Sequence, residues 1–202
     1  MRKPSKNFAF VALTKIGAFA LMVLGAAANP ADSCCGGGAG SGGSGGSGGG
    51  DGGAGGGGGA TCFDYASFED MTPTVMFKAD VLPILRQSCS ASTACHGDES
   101  PPKGQPYLGP DAMAGSASTM QIAKIFEQNV DVFSSKATTM KIVDRFSPQT
   151  SFLMHKIDGT LTCADVKCDV DCGVAMPKDA AILPQAQRDI VRRWIAQGAI
   201  NN

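Results

Sequence analysis

The stretch Ser88–Gly97 reads SCSASTACHG. It holds Cys89 and Cys95, with His96 directly after the second thiol. Five residues, Ser90 to Ala94, lie between the two cysteines. Two thiols and an imidazole this close admit three chemistries: a disulfide, part of a zinc site, or covalent attachment of a haem. The usual haem-attachment sequence leaves two residues between the cysteines, so the spacer here is long. The rest of the chain has to decide.

Much of the 202-residue chain cannot join a core. It opens with MRKPSK, an apolar stretch from Phe8 to Leu24, and then GAAANPA. A positive start, an apolar middle and small residues at Ala26–Ala28 predict a cleaved signal peptide over 1–28. The competing reading is a retained membrane anchor. Lys15 cuts the apolar stretch into pieces shorter than the roughly 20 residues a spanning helix needs. Cys34, followed by a Gly/Ser tether, also resembles the lipid-modified cysteine of a bacterial lipoprotein. Asp32 stands where such a site expects a small residue. Either route predicts a mature chain that is exported, periplasmic or held at the outer membrane and cell surface, where disulfides persist.

Residues 29–60 are predicted to be a flexible linker, because 36–60 hold only Gly, Ser, Ala and one Asp. Random-coil scaling gives those residues a reach of about 25–30 Å. The remainder, 61–202, suffices for one domain. Without the four basic residues of the leader, 13 basic residues face 18 acidic ones. They form no cluster, so no nucleic-acid partner is expected.

Apolar spacing sets the class. Phe77, Val81, Ile84 and Leu85 share one helix face, with Asp80 as N-cap and Pro83 in the first turn. That helix delivers Cys89 at its end. The loop GDESPPKGQPYLGPDA follows, and then a helix capped by Ser118 that turns Ile122, Ile125, Phe126 and Val130 inward. Ser147-Pro148 breaks the chain, and Ser151 caps a short helical turn through Lys156. A cysteine-rich insert, TCADVKCDVDCG, leads into VAMPKDAAILP. Pro184 starts and Gly198 stops a last helix, with Ile190, Val191, Trp194 and Ile195 inward and Arg188, Arg192 and Arg193 outside. No convincing alternating strand appears. The expected fold class is all-α with long loops, and so few helices need help from cysteines or a cofactor.

A covalent haem needs two thiols at one edge of the ring, a His after the second thiol, and a ligand from the opposite side, often Met. Cys89, Cys95 and His96 meet the first two needs, and Met176 before Pro177 is the best candidate for the third. The plainer readings are a loop methionine filling a gap and two neighbouring cysteines forming a disulfide. His155 is the alternative distal ligand, although a surface or supporting position suits it better. Cys62, Cys163, Cys168 and Cys172 can make two disulfides, with connectivity open. A zinc site of Cys89, Cys95, His96 and a later cysteine fits no common spacing. No Ser-His-Asp set and no phosphate-binding glycine loop is present.

The order of these pieces carries a resemblance. From Phe77 to Asn202 the chain resembles the cytochrome c-like domains of exported myxobacterial and planctomycete proteins, on "DVLPILRQSC" with "CHG", on "RFSPQTSFLMHKIDG", and on "MPKDAAILPQAQRDIVRRWIAQGA". The resemblance implies a small helical cytochrome c-like domain. It implies haem thioethers at Cys89 and Cys95, His96 as the proximal and Met176 as the distal iron ligand, and a segment at Pro148–Lys156 packed behind the haem. The five-residue spacer departs from the family pattern. The implied function is single-electron transfer to redox partner proteins by one covalent haem c, an electron carrier more than a catalyst. Two other readings remain: a haemless, disulfide-stapled surface module of the same fold, and a haem enzyme such as a peroxidase with an open distal side.

Overall fold

The computed structural model describes residues 61–101 and 105–202. The leader, Cys34 and the Gly/Ser linker lie outside the described residues.

A wide helical turn, Phe77–Val81, runs into α1, Leu82–Ser88. Pro83 has no N–H, and its ring crowds the carbonyl four residues back. The turn before it is therefore wide, with Leu82 N–H reaching the Phe77 carbonyl. The helix thus begins three residues earlier than Asp80. Asp80 sits inside the first turn, and its carboxylate accepts from Met76 N–H at 2.7 Å.

Helix α2 spans Thr119–Asn129. Ser118 and Gln121 form a reciprocal capping box, as the sequence pattern predicts. Helix α3 spans Phe152–Asp158 and ends at Gly159, whose φ is 70°. Ser151 does not cap it. Its hydroxyl donates to the Ser147 carbonyl and accepts from Asp144 N–H, which ties the preceding loop to the helix start. Helix α4 spans Gln185–Ala196 and stops at Gly198. There φ is +98°, and a Cβ would lie 2.7 Å from the Phe146 ring, so both backbone and space demand glycine. Among the described residues there is no strand, only isolated bridges such as Val130 with Val143. The described part is helical, and its loops send Tyr107, Leu108 and Val143 into the core.

The core forms where the first helical turn, α2 and α4 bring their aromatic rings together. The Phe77 ring lies 4.7 Å from that of Phe126 and 5.2 Å from Trp194, centroid to centroid. Val81, Ile125, Ile157 and Val191 fill the space around them. Trp194 Nε1–H donates to the Ile200 carbonyl, so the indole is buried without an orphaned donor. Asn202 and Gln197 side-chain oxygens accept from Phe77 N–H and Val75 N–H, joining the end of α4 to the start of the first helix.

One arginine departs from the sequence reading. Arg192 is not outside: its side chain is 0% exposed. Both Asp158 carboxylate oxygens accept from its Nη2 at 2.8 Å, and Asp189 accepts from Nη1. Arg188 also donates to Asp158 at 2.8 Å. Periodicity turned Arg192 outward because it counts one helix at a time. The segment ahead of Phe77 adds a second layer, with the Phe63 ring centroid 3.5 Å from the guanidinium carbon and Phe68 at 5.1 Å.

That segment is held by a Cys62–Cys163 disulfide across a sequence separation of 101. Loop-closure entropy makes such a link worth roughly 4–5 kcal/mol. The second disulfide, Cys168–Cys172, spans a separation of 4, which the same reasoning puts nearer 2 kcal/mol. The four cysteines expected to pair therefore do so.

Removing one member of the buried pair leaves an uncompensated charge. Asp158→Ala is expected to lower the unfolding free energy by about 3–5 kcal/mol. Urea unfolding followed by tryptophan fluorescence checks this, and a loss below 1 kcal/mol would contradict the role given to the pair.

Candidate functional site

Helix α1 ends by delivering Cys89, whose N–H donates to the Leu85 carbonyl at 2.9 Å. The spacer then folds back on itself. His96 N–H donates to the Cys89 carbonyl, and the N–H groups of Cys95 and Gly97 both reach the Ser92 carbonyl, all at 3.1 Å. Thr93 and Ala94 at its tip are exposed, while Ser90 is fully buried. A Cβ on Gly97 would lie 2.8 Å from the Ser92 oxygen, so the closed turn requires glycine there. The five-residue spacer thus leaves as a bulge, and Cys89, Cys95 and His96 stay together on one wall.

That wall faces a cavity of about 890 Å³, near the upper end of the roughly 300–1,000 Å³ usual for small-molecule and cofactor sites. Met176 and Pro177 line the same cavity. Leu108, Ile142, Phe152, Leu153 and Ile157 supply apolar walls. Phe133 and Val174 line it too and are 61% and 55% exposed, so they mark its mouth. Sequence reasoning singled out Cys89, Cys95, His96 and Met176 separately, and the fold brings all of them to one cavity.

The His96 imidazole is oriented. Its Nδ1 lies 2.7 Å from the Pro106 carbonyl. A carbonyl only accepts, so Nδ1 carries the proton and Nε2 keeps its lone pair. Burial pushes His96 below its ordinary pKa, Lys156 adds to the effect, and the Pro106 bond opposes it. The result is a neutral imidazole with one ring nitrogen committed, the arrangement a metal-ligating histidine takes. The sequence carried no sign of this partner, because it is a backbone carbonyl in a Gly/Pro-rich loop.

His155 belongs elsewhere. It is buried, 3% exposed, and not at the surface. Its Nε2 donates to the Gln149 carbonyl and its Nδ1 faces the Thr160 hydroxyl, each at 3.0 Å. It does not line the cavity, and both its nitrogens hold the α3 ends in place. The zinc reading finds no geometry either. Among the described residues no three His, Cys, Asp or Glu side chains gather as a metal site, and Cys62, Cys163, Cys168 and Cys172 are spent on disulfides. Cys95 also enters a disulfide.

The Met176 loop hangs from α3. Met176 N–H donates to the Lys156 carbonyl at 2.8 Å. The cysteine-rich insert ahead of it packs on residues 134–140, where Asp169 accepts from Thr138 and its N–H donates to the Lys136 carbonyl. No helix among the described residues is long and apolar enough to cross a membrane. No family model, no curated protein and no solved structure matches the chain.

In the chain without a bound group, nitrogen-15 spectra are expected to show His96 as the neutral tautomer protonated at Nδ1 at pH 7. The opposite tautomer would mean that the Pro106 contact does not set the ring.

Proposed function

We propose that residues 61–202 form an exported c-type cytochrome domain that holds one covalent haem and moves single electrons. The observation that carries this reading is the gathering of Cys89, Cys95, His96 and Met176 on one apolar cavity, with His96 Nδ1 committed to Pro106. The donor set suits the group. Cys89 and Cys95 would add their S–H bonds across two vinyl groups, His96 Nε2 would bind one side of the iron, and the Met176 thioether the other. Thioether formation takes Cys95 as a thiol, so the reduced chain is the form that accepts haem.

When bound, haem supplies a one-electron couple, and a Met ligand raises its potential relative to a second His. The chain's own residues do the remaining work. Pro106 holds the imidazole. Leu108, Leu153 and Ile157 keep water from the cavity floor. Phe133 and Val174 leave an exposed apolar edge at the mouth, where a redox partner can approach. The two disulfides fit an exported setting, and the Gly/Ser tether, with Cys34 lipid-modified or not, would let the domain reach partners.

The second reading, a haemless stapled module, draws on the Cys62–Cys163 and Cys168–Cys172 links and on the disulfide at Cys95. The two readings part in one experiment. The full chain, produced with a periplasmic haem-attachment system, is expected to gain the mass of one haem. That haem should survive acid-acetone extraction and give a pyridine haemochrome spectrum. A chain without the added mass sinks the cytochrome reading. In the loaded protein, Met176→Ala is expected to abolish the thioether–ferric iron absorption band and lower the midpoint potential. An unchanged potential would point to an open distal side and to enzyme chemistry.

A further inference from the structure

Lys156 is the last cavity-lining cation of α3, and it makes three bonds to the loop that carries Met176. Its carbonyl accepts from Met176 N–H at 2.8 Å. Its ammonium donates to the Cys172 carbonyl and, at 2.9 Å, to the Val174 carbonyl. Those two carbonyls point the same way because Gly173 between them takes a φ of +69°. A Cβ on Gly173 would stand 3.1 Å from the Lys156 nitrogen, so glycine also makes room for the cation. The Cys168–Cys172 disulfide anchors the near end of this cup. The Phe152 ring, its centroid 5.3 Å from Nζ, supports the side chain from below.

This is an unusual use of a lysine. Among the described residues its ammonium enters no ion pair, and burial lowers its pKa. It donates to main-chain oxygens instead, and those oxygens belong to the residues that set where the chain passes the cavity.

We infer that Lys156 is the positioning residue of the distal loop, holding Cys172 to Met176 so that the Met176 thioether faces the cavity opposite His96. The inference rests on the haem reading for its consequence, but the loop geometry itself does not require haem. Lysine suits the task because its stem reaches past Phe152 and its rotatable N–H groups can serve two carbonyls at once. The bonds join a charged donor to main-chain acceptors, which places them among the stronger hydrogen bonds.

The test uses the full chain with the Cys62–Cys163 and Cys168–Cys172 disulfides intact, with and without haem. Lys156→Met keeps the stem and removes the donors. Without haem, amide hydrogen exchange over residues 172–178 is expected to speed up about tenfold, a loss of about 1.4 kcal/mol of local protection. Residues 185–199 should not change, and Lys156→Arg should restore most of the protection. With haem, Lys156→Met should retain the covalent group but lose most of the thioether–iron band and show a lower midpoint potential. Exchange over 172–178 within twofold of the parent overturns the inference. So does a parallel rise over 185–199, which would make Lys156 a general stabiliser, and so does an intact band with an unchanged potential. A parent chain that takes no haem sinks the cytochrome reading alone, because the exchange result still decides the positioning role.

Discussion

The structure depends on one buried ion pair. A guanidinium with no solvent must have its charge matched, and Asp158 does this for Arg192 with both carboxylate oxygens. Asp158 closes α3 and Arg192 lies mid-way along α4, so the pair sets how those helices meet. The aromatic rings of Phe63 and Phe68 then cover the cation, which gives the segment before the first helix a reason to lie across α4. The Cys62–Cys163 link closes this arrangement covalently, just past the end of α3. Helix α3 thereby becomes a fixed rail, and Leu153, Lys156 and Ile157 on that rail face the cavity.

Local rules made the helices legible. Ser118 with Gln121 and the spacing of Ile122 and Ile125 announced α2 before any tertiary contact was considered. Gly198 announced the stop of α4, for a positive φ and for a close ring. The failures came where another layer intervened. Arg192 read as solvent-facing because nothing in α4 says that Phe63, more than a hundred residues earlier, will lie on it. Asp80 read as an N-cap because the rule for caps does not anticipate the wide turn that Pro83 induces. Ser151 read as a cap, whereas its hydroxyl is claimed by Ser147 and Asp144.

The cavity residues divide along the same line. Cys89, Cys95, His96 and Met176 carry side chains distinctive enough to be noticed one by one, and their order along the chain suggested that they meet. The groups that orient them were silent. Pro106 acts through its carbonyl, and so do Cys172 and Val174. A main-chain acceptor has no residue type to betray it. Lys156 closes the segment that the resemblance places behind the haem, but nothing in that pattern says that its donors leave α3 for the cysteine-rich insert.

The turn at Ser90–Ala94 separates two quantities that a sequence pattern treats as one. Because His96 N–H closes back on the Cys89 carbonyl, the spatial gap between the two sulfur-bearing residues is set by that closure and not by the number of residues inside it. Lengthening a loop whose ends are already pinned costs only a slowly growing entropy, about 0.6 kcal/mol for each doubling. Insertions at the exposed tip, near Thr93 and Ala94, can therefore accumulate over evolutionary time while the wall facing the cavity keeps its shape. Spacer length is then a poor guide to kinship, and chains with unlike gaps can share one binding surface.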